Sequence, residues 1–395
     1  MNISNIKLKS PLFLLSHTLL MKQFFLFFLI ICCALLPATA RTPWLKKPLR
    51  YVCADSVITW GYDGRDFRTI AHATDSTAHA HPTRLTRQNW SERESTLVAW
   101  TSQQSEHNVL GGAGAPQEPS QALSAAKWLN QAAQLYLMQG DASYMDYAER
   151  ALFNAVMRTA NDTLQLQGTL DKWLAASLLL ATPGMVYATS HDEKALYVNL
   201  YTNATTALTL RGKRFVFDQI TNMPYDGGVK LRFSNFKGEL PLKLYLRMPS
   251  WTGLRSDSPY VYVGGEPLQP TLYVNGHEVD PLTVNSQGYV VIERKWHALD
   301  EVYIDFPLQV QTILPATTPT QQRLAPLRDH AAFQFGPLVY LPQGNTQGHY
   351  FVPNCPPQPI DRTNAIGRPI LQGTMYRYAN LPQDAQAPSV TFWAE

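Results

Sequence analysis

The chain has 395 residues, of which 45% are hydrophobic and 16% are charged, and its formal net charge is +3. This composition is typical of globular proteins and excludes collagen-like, disordered and coiled-coil proteins. The length is sufficient for two domains, each with its own core.

The N-terminus predicts a secretory signal peptide over residues 1–40. Lys22 precedes an almost wholly apolar run at 24–37, and Ala-Thr-Ala follows at 38–40. The run is shorter than the roughly 20 residues that a membrane span needs, although an uncleaved anchor is an alternative. We therefore expect a secreted or periplasmic protein with no membrane span after signal cleavage.

Charge and cysteine content restrict the function further. Cleavage would remove three lysines and no acidic residue, which leaves 30 basic and 30 acidic residues. The absence of a positive excess argues against a nucleic-acid partner. Cys53 and Cys355 would remain, too far apart in sequence for a local zinc knuckle, and whether they pair is open.

The first part of the mature chain predicts an N-terminal segment of unclear fold (41–106) and then a helical region (107–192). Apolar residues recur at three- and four-residue steps from Ser120, which predicts a helix. Gly140 ends this helix and Asp141 caps the next one, which continues to Val156. A third helix, predicted from about residue 170 to 187, is apolar nearly all round and should be buried on all sides.

After residue 193 the hydrophobic pattern changes to period two. The predicted strands are 197–201, 214–217, 229–233, 242–246, 260–263, 271–274, 289–292, 302–306 and 333–340. Turn sequences at 225–228, 275–276 and 286–288 separate several of them. This pattern predicts a β-sandwich over residues 193–345, followed by a C-terminal extension (346–395) with one more strand at 389–393.

A series of short motifs resembles one known family. The motifs are Gly-Gly-Ala-Gly (111–114), the helix pair 140–154, Leu-Tyr-Val-Asn-Leu-Tyr (196–201), and the segments 219–227, 246–251, 274–276, 288–290, 294–296 and 335–340. In this order they resemble the bacterial β-L-arabinofuranosidases of glycoside hydrolase family 127 and its neighbour, family 146. The resemblance covers about residues 108–345 and implies a glycan partner that contains arabinose.

The resemblance implies an α+β multidomain fold in which an (α/α)6 barrel precedes a β-sandwich. The family's barrel has twelve helices, whereas this chain has room for about three before the sandwich. We therefore expect a short α-helical remnant of the barrel. Its apolar faces would need cover from the N-terminal segment, the sandwich or a partner chain.

By resemblance, the family's chemistry uses a cysteine thiolate on zinc, with one glutamate and three cysteines as ligands and a second glutamate as acid/base. The family's metal-site motifs fall here on Gln121, Leu123, Lys172 and Trp173. No cysteine occurs between Cys53 and Cys355, so the thiolates are missing whatever the alignment. We therefore expect no zinc cofactor and a degenerate metal site, as in a pseudoenzyme.

Glu118 lies roughly where the family's acid/base glutamate occurs and is the candidate catalytic residue. Retaining glycosidases use a second carboxylate about 5 Å away. Glu106, Asp141 and Asp171 are candidates for that role, but they are interpreted first as a surface charge, a helix cap, and a cap or surface residue.

The aromatic residues in the family motifs have an ordinary interpretation. Trp251 and Trp296 are interpreted as core residues rather than sugar platforms.

Three hypotheses about function follow. The protein acts on glycans as a family 127-like hydrolase, with residual or altered activity through Glu118. Alternatively it is a non-catalytic carbohydrate-binding or accessory module. In the third hypothesis it is a fragment of a split gene that needs a partner chain.

Overall fold

The computed structural model describes residues 45–51, 56–62, 65–66, 121–156, 186–255, 260–263, 269–315, 332–342, 349–350, 358–363, 369–374, 376–377 and 389–393. The predicted signal peptide, the loop at 111–114 and nearly all of the predicted third helix lie outside these residues. Within them the protein is mostly β-sheet with few helices. None of the described helices is both long enough and apolar enough to span a membrane.

The helices and strands of the described residues are as follows. The helices are α1 (Gln121–Gln139) and α2 (Ala142–Ala151), and a π-helical turn (Leu152–Val156) follows α2. The first eleven strands are β1 (Arg50–Tyr51), β2 (Ser56–Tyr62), β3 (Arg65–Asp66), β4 (Tyr187–Thr189), β5 (Ala195–Val198), β6 (Asn203–Leu210), β7 (Lys213–Thr221), β8 (Gly228–Ser234), β9 (Leu240–Arg247), β10 (Tyr260–Val263) and β11 (Thr271–Val274). The others are β12 (His277–Glu278), β13 (Tyr289–Trp296), β14 (Glu301–Asp305), β15 (Val310–Pro315), β16 (Ala332–Phe335), β17 (Leu338–Pro342), β18 (His349–Tyr350), β19 (Gln358–Thr363), β20 (Pro369–Thr374), β21 (Tyr376–Arg377) and β22 (Ser389–Trp393).

The strands form three larger sheets and one hairpin-sized pair. A five-stranded sheet has the order β1-β4-β5-β9-β13, and an eight-stranded sheet has the order β12-β11-β14-β8-β7-β6-β2-β3. A seven-stranded sheet has the order β10-β15-β16-β17-β22-β20-β19, and β18 pairs with β21. The pairing of β5 with β9 is parallel, whereas the other described pairings are antiparallel. Strands from outside 193–345 therefore join sheets built mainly from that segment.

The five-stranded and eight-stranded sheets pack face to face as a sandwich. Trp296 on β13 stacks on Phe233 of β8, with ring centroids 4.6 Å apart. Tyr187 on β4 meets Phe217 of β7 edge-on at 5.4 Å. Alternate residues of β8, β9, β11 and β14 enter this shared core, because side chains alternate between the two faces of a sheet. Trp251 and Trp296 are both buried, which confirms their interpretation as core residues.

The α1–α2 corner forms as the sequence predicts. Gly140 has a positive φ of 69°, a conformation that glycine adopts without a Cβ clash, and it ends α1. Asp141 is the N-cap of α2 and accepts a hydrogen bond from the Ser143 amide at 2.9 Å. The carbonyl of Gln287 accepts from the Ala142 amide at 2.8 Å, so the predicted turn at 286–288 holds the corner against the sheet.

Cover for the end of α1 comes from the same chain. The Leu45 amide donates to the Met138 carbonyl at 2.9 Å, and the Leu49 amide donates to the Leu137 carbonyl at 2.7 Å. The apolar positions of α1 and α2 whose side chains are described are buried or half-buried.

Apart from differences in strand bounds, the structure changes the type of one predicted element and divides another in two. Tyr187, predicted as the end of the third helix, instead begins β4, where it pairs with Val198. The single strand predicted at 333–340 is two strands, β16 and β17. Gly336 has a positive φ of 55° and Pro337 lacks an amide proton, so together they form a turn within the apolar run.

Candidate functional site

The most densely charged buried region of the described residues lies where α2 meets the end of β9. We call it the junction cluster and define it as Asp146, Glu149, Arg247, Trp251 and Arg255. Asp146 and Glu149 are three residues apart on α2, so they share one side of the helix. Arg247 is the last residue of β9, and Trp251 lies in the short 3₁₀ turn Ser250–Thr252 that follows.

Arg247 is fully buried and forms the centre of the junction cluster. Its Nη1 donates to Asp146 Oδ1 at 2.5 Å, its Nη2 donates to Glu149 Oε1, and its Nε donates to the Asn199 carbonyl. The Arg247 carbonyl accepts from the Tyr201 hydroxyl at 2.7 Å. The guanidinium therefore joins α2 to β9 and to the segment after β5.

The charge of Arg247 is maintained by its partners. Burial lowers the pKa of Arg247, but the carboxylates of Glu149 and Asp146 outweigh burial and raise the pKa above its ordinary value. Burying a guanidinium costs desolvation free energy, and hydrogen bonds from its N–H groups to carboxylates are the interactions that best offset this cost.

Glu149 is buried on the same side of α2. Its Oε2 accepts from Trp251 Nε1 at 2.9 Å while Oε1 accepts from Arg247. Burial raises the pKa of Glu149, and the nearby Asp146 carboxylate raises it further, although Arg247 and the Trp251 hydrogen bond lower it. Since the Glu149 residue is 2% exposed, its carboxyl group cannot contact a substrate from solvent.

Asp146 links the cluster to the segment after β9. Its Oδ2 accepts from Arg255 Nη1 at 2.8 Å, and its Oδ1 also accepts from the Ser250 amide at 3.3 Å. Two arginines thus face two carboxylates. The arrangement can hold α2 in one orientation on the five-stranded sheet, but it offers no exposed acid or base for catalysis.

A second set of polar side chains connects the end of α2 to the seven-stranded sheet. Arg150 Nη2 donates to Gln334 Oε1 at 2.8 Å and to the Tyr262 hydroxyl at 3.2 Å. The Asn154 side chain donates to the Pro337 carbonyl at 2.9 Å and accepts from the Val339 amide at 2.7 Å. Polar side chains of α2 and its π-helical turn therefore bind the seven-stranded sheet, whereas the junction cluster binds the end of β9.

The predicted catalytic residue, Glu118, lies outside the described residues. The same is true of Lys172 and Trp173, and of Glu106 and Asp171. Asp141, the remaining candidate for a second carboxylate, is the N-cap of α2 as its ordinary interpretation predicted.

Gln121 and Leu123, two of the degenerate metal-site positions, lie in the first turn of α1. The residue types at the four positions predicted to correspond to the family's metal site do not fit zinc. Leucine has no ligand atom, the tryptophan indole is a donor only, lysine is protonated at neutral pH, and glutamine offers a neutral amide oxygen. Among the described residues, no group of three or more His, Cys, Asp and Glu side chains could hold a metal ion.

Sequence reasoning missed the junction cluster. It treated residues 140–154 and 246–251 as separate motifs. The available signal was the position of two acidic residues, Asp146 and Glu149, beside the apolar residues Met145 and Ala148 of an otherwise amphipathic helix. A basic residue at an inward-facing end of an alternating strand, such as Arg247, would be the natural partner.

Comparison with known proteins places the chain beside one family. Residues 195–308 match the family model described as the middle domain of GH127 β-L-arabinofuranosidase. No curated protein is significantly similar in sequence. The resemblance to glycoside hydrolase family 127 that the motifs predicted is thereby confirmed for this segment.

Solved structures share the fold. A GH127 β-arabinofuranosidase, BT3674, matches with a TM-score of 0.61 and 20% identity over 85% of this chain. The GH127 β-L-arabinofuranosidase Ara127N from Geobacillus stearothermophilus T6 matches with a TM-score of 0.59 and 18% identity over 85% of this chain. A structure described as a glycoside hydrolase matches with a TM-score of 0.51 and 18% identity over 69% of this chain and 48% of its own. This chain spans 57% of the length of each of the first two structures.

Proposed function

Because residues 195–308 match the GH127 middle domain, we propose that this protein acts on or binds arabinose-containing glycans without the zinc–thiolate chemistry of that family. The observation that carries the proposal is that match, in a sequence with no cysteine between Cys53 and Cys355. In this proposal α1 and α2 are the remnant of the family's helical barrel, and the protein is secreted or periplasmic.

The missing thiolates separate two versions of the proposal. In the first, a carboxylate mechanism replaces the thiolate, with Glu118 as acid/base and a second carboxylate as its partner. In the second, the protein binds glycans without cleaving them and serves as an accessory module.

Burial within the chain bears on the split-gene alternative. The described apolar side chains of α1 and α2 are covered by residues 45–51 and by the sheets. This cover supports a protein that folds without a partner chain. A partner would be required only if the purified protein proved insoluble alone.

A hydrolysis assay tests the chemistry. The purified protein is incubated with an aryl β-L-arabinofuranoside, with added zinc or with a chelator, alongside the variants Glu118→Gln and Glu293→Gln. Glu293 is an exposed surface carboxylate paired with Lys243, so it serves as the control. We expect no zinc-dependent turnover. Turnover that a chelator abolishes would contradict the proposed loss of zinc chemistry.

The same assay distinguishes the two versions. Zinc-independent turnover that is lost in Glu118→Gln but retained in Glu293→Gln supports the carboxylate mechanism. A folded protein without turnover that still binds arabinan supports the accessory module. A protein that neither binds arabinan nor cleaves the arabinofuranoside contradicts both.

A further inference from the structure

The outer face of the eight-stranded sheet carries a row of side chains with no role in the sandwich core. On β14, Val302 and Ile304 are fully buried, so the alternating residue Tyr303 lies on the opposite face. The strand register places Tyr273 directly opposite Tyr303, Tyr303 opposite Lys230, and Lys230 opposite Ile220. We call these four residues the outer tyrosine face.

The outer tyrosine face is accessible. Tyr303 is 37% exposed and Ile220 is 49% exposed, and both are among the few large hydrophobic residues that the described part of the chain leaves exposed. Tyr273 is half-buried, and its ring centroid lies 6.4 Å from that of Tyr303 at an interplanar angle of 38°. Two aromatic rings therefore lie side by side across neighbouring strands.

Gly228 leaves room for the ring of Tyr303. A Cβ at position 228 would lie 3.1 Å from the Tyr303 hydroxyl oxygen and 3.7 Å from its Cε2 atom. The hydroxyl end of the ring thus lies over the backbone of β8. Tyrosine offers a rigid ring for apolar contact and a hydroxyl for hydrogen bonding, at a low cost in conformational entropy.

The charges beside the rings are mainly negative. Lys230 is neutralised by Glu301 at 3.1 Å. Asp305 pairs with Gly228 in the strand register, and Asp226 Oδ1 would lie 3.6 Å from a Cβ at position 228, so both carboxylates lie beside the hydroxyl end of Tyr303. Burial raises the pKa of Tyr303, these two carboxylates raise it further, and Lys230 lowers it. Such a surface repels phosphates and acidic sugars, whereas its carboxylates can accept hydrogen bonds from uncharged hydroxyl groups.

We propose that the outer tyrosine face binds a neutral oligosaccharide, with sugar rings lying on Tyr273 and Tyr303 and sugar hydroxyls donating to Asp305 and Asp226. Aliphatic C–H faces of sugars match the apolar ring faces, and their hydroxyls match the neighbouring acceptors. The assignment of arabinose as the sugar rests on the proposed function.

The test is native gel electrophoresis of the purified protein in gels that contain arabinan, dextran or polygalacturonate. The test variant is the double substitution Tyr273→Leu/Tyr303→Leu. The control is Val291→Ala on the five-stranded sheet, because Val291 is as exposed as Tyr303. Thermal unfolding of each variant verifies that it is folded. We expect arabinan to retard the wild type and Val291→Ala equally, and the double variant to bind about tenfold more weakly or not at all.

Each other outcome has a distinct meaning. Equal retardation of the double variant would overturn the outer tyrosine face as the site while leaving the proposed glycan function intact. Retardation by polygalacturonate as strong as by arabinan would overturn the preference for neutral sugars. Retardation by dextran alone, lost in the double variant, would support the face but contradict arabinose. No retardation in any gel would overturn the face, and hydrolysis of the aryl arabinofuranoside would then decide separately on the proposed function.

Discussion

The ion pairs between α2 and the end of β9 are buried, whereas the ion pairs on the outer face of the eight-stranded sheet have basic side chains that reach solvent. Arg247 is inaccessible and binds Glu149 and Asp146. Arg232 on β8 binds Asp218 at 3.1 Å, but the arginine side chain is 42% exposed. An arginine–aspartate pair therefore has a different role at each of the two places. The buried set fixes how α2 lies on the sheet, and the exposed set leaves a solvated surface available for a ligand.

The largest expected effect comes from removing the centre of the buried set. Arg247→Met leaves Glu149 and Asp146 buried with one cation fewer, and we expect a loss of about 3–5 kcal/mol in the free energy of unfolding. Arg232→Met, the same substitution in the exposed pair, should cost less than about 1 kcal/mol. Urea denaturation of both variants measures the difference. Equal losses would mean that burial does not distinguish the two pairs.

Two adjacent glycines provide a second contrast at the edge of the outer tyrosine face. A Cβ at Gly227 would lie 1.7 Å from the Phe306 carbonyl oxygen, so Gly227→Ala must displace backbone and should cost about 3 kcal/mol or more. A Cβ at Gly228 would meet only side-chain atoms, of which the Tyr303 hydroxyl oxygen at 3.1 Å is nearest, so Gly228→Ala should cost less than about 1 kcal/mol. Thermal unfolding of the two single variants tests this order. A Gly228→Ala variant as unstable as Gly227→Ala would contradict it.

The hydrogen bond from the Trp251 indole to the Glu149 carboxylate can be compared with the bond from the Trp296 indole to a neutral backbone carbonyl. Trp251→Phe removes the bond to a buried carboxylate, whereas Trp296→Phe removes the 3.0 Å bond to the Leu242 carbonyl. Both indoles are buried, so the loss of ring volume is similar. We expect the Trp251 variant to lose about 1 kcal/mol more, because bonds to charged groups are stronger. Chemical denaturation that gave equal losses would argue against an ionised Glu149.

The smallest effect concerns pH. Burial raises the pKa of Glu149 above its ordinary value of 4.5, so the folded state binds that proton more tightly than the unfolded state. Its contribution to stability is present below pH 4.5 and is lost as the pH rises through the raised pKa. We expect Glu149→Gln to gain stability relative to the wild type as the pH rises above 4.5, as measured by melting temperature between pH 4 and 8.

The control for the pH experiment is Glu301→Gln, which alters an exposed carboxylate paired with Lys230. Its melting temperature should follow that of the wild type over the same range. If the Glu149→Gln difference stayed constant with pH, the pKa of Glu149 would not be raised.

Much of the secondary structure could be predicted because it depends on local patterns. Alternation placed β10 and β11 at their observed bounds, and Gly140 with Asp141 marked the corner between α1 and α2. Asn275 and Gly276 marked the turn between β11 and β12. The split of the predicted strand 333–340 at Gly336 was missed, since the residues on both sides of the turn are apolar.

The candidate site was less predictable than the fold. The motifs led to Glu118 and to the degenerate positions Gln121 and Leu123, whose side chains the structure does not describe. They did not lead to Arg247, whose partners lie about 100 positions away in the chain. Nor did they single out Tyr303, because exposed tyrosines on a strand have no sequence pattern of their own.

The sequence by itself determined the strand periods, the helix caps, the resemblance to family 127 and the lack of any cysteine between Cys53 and Cys355. Each of these is a property of single residues or of near neighbours. Only the tertiary structure decided that Arg247 joins Asp146 and Glu149, and that Tyr273 stands opposite Tyr303. Such contacts depend on strand register and on how helices pack on sheets, which arise from the summed burial of many side chains.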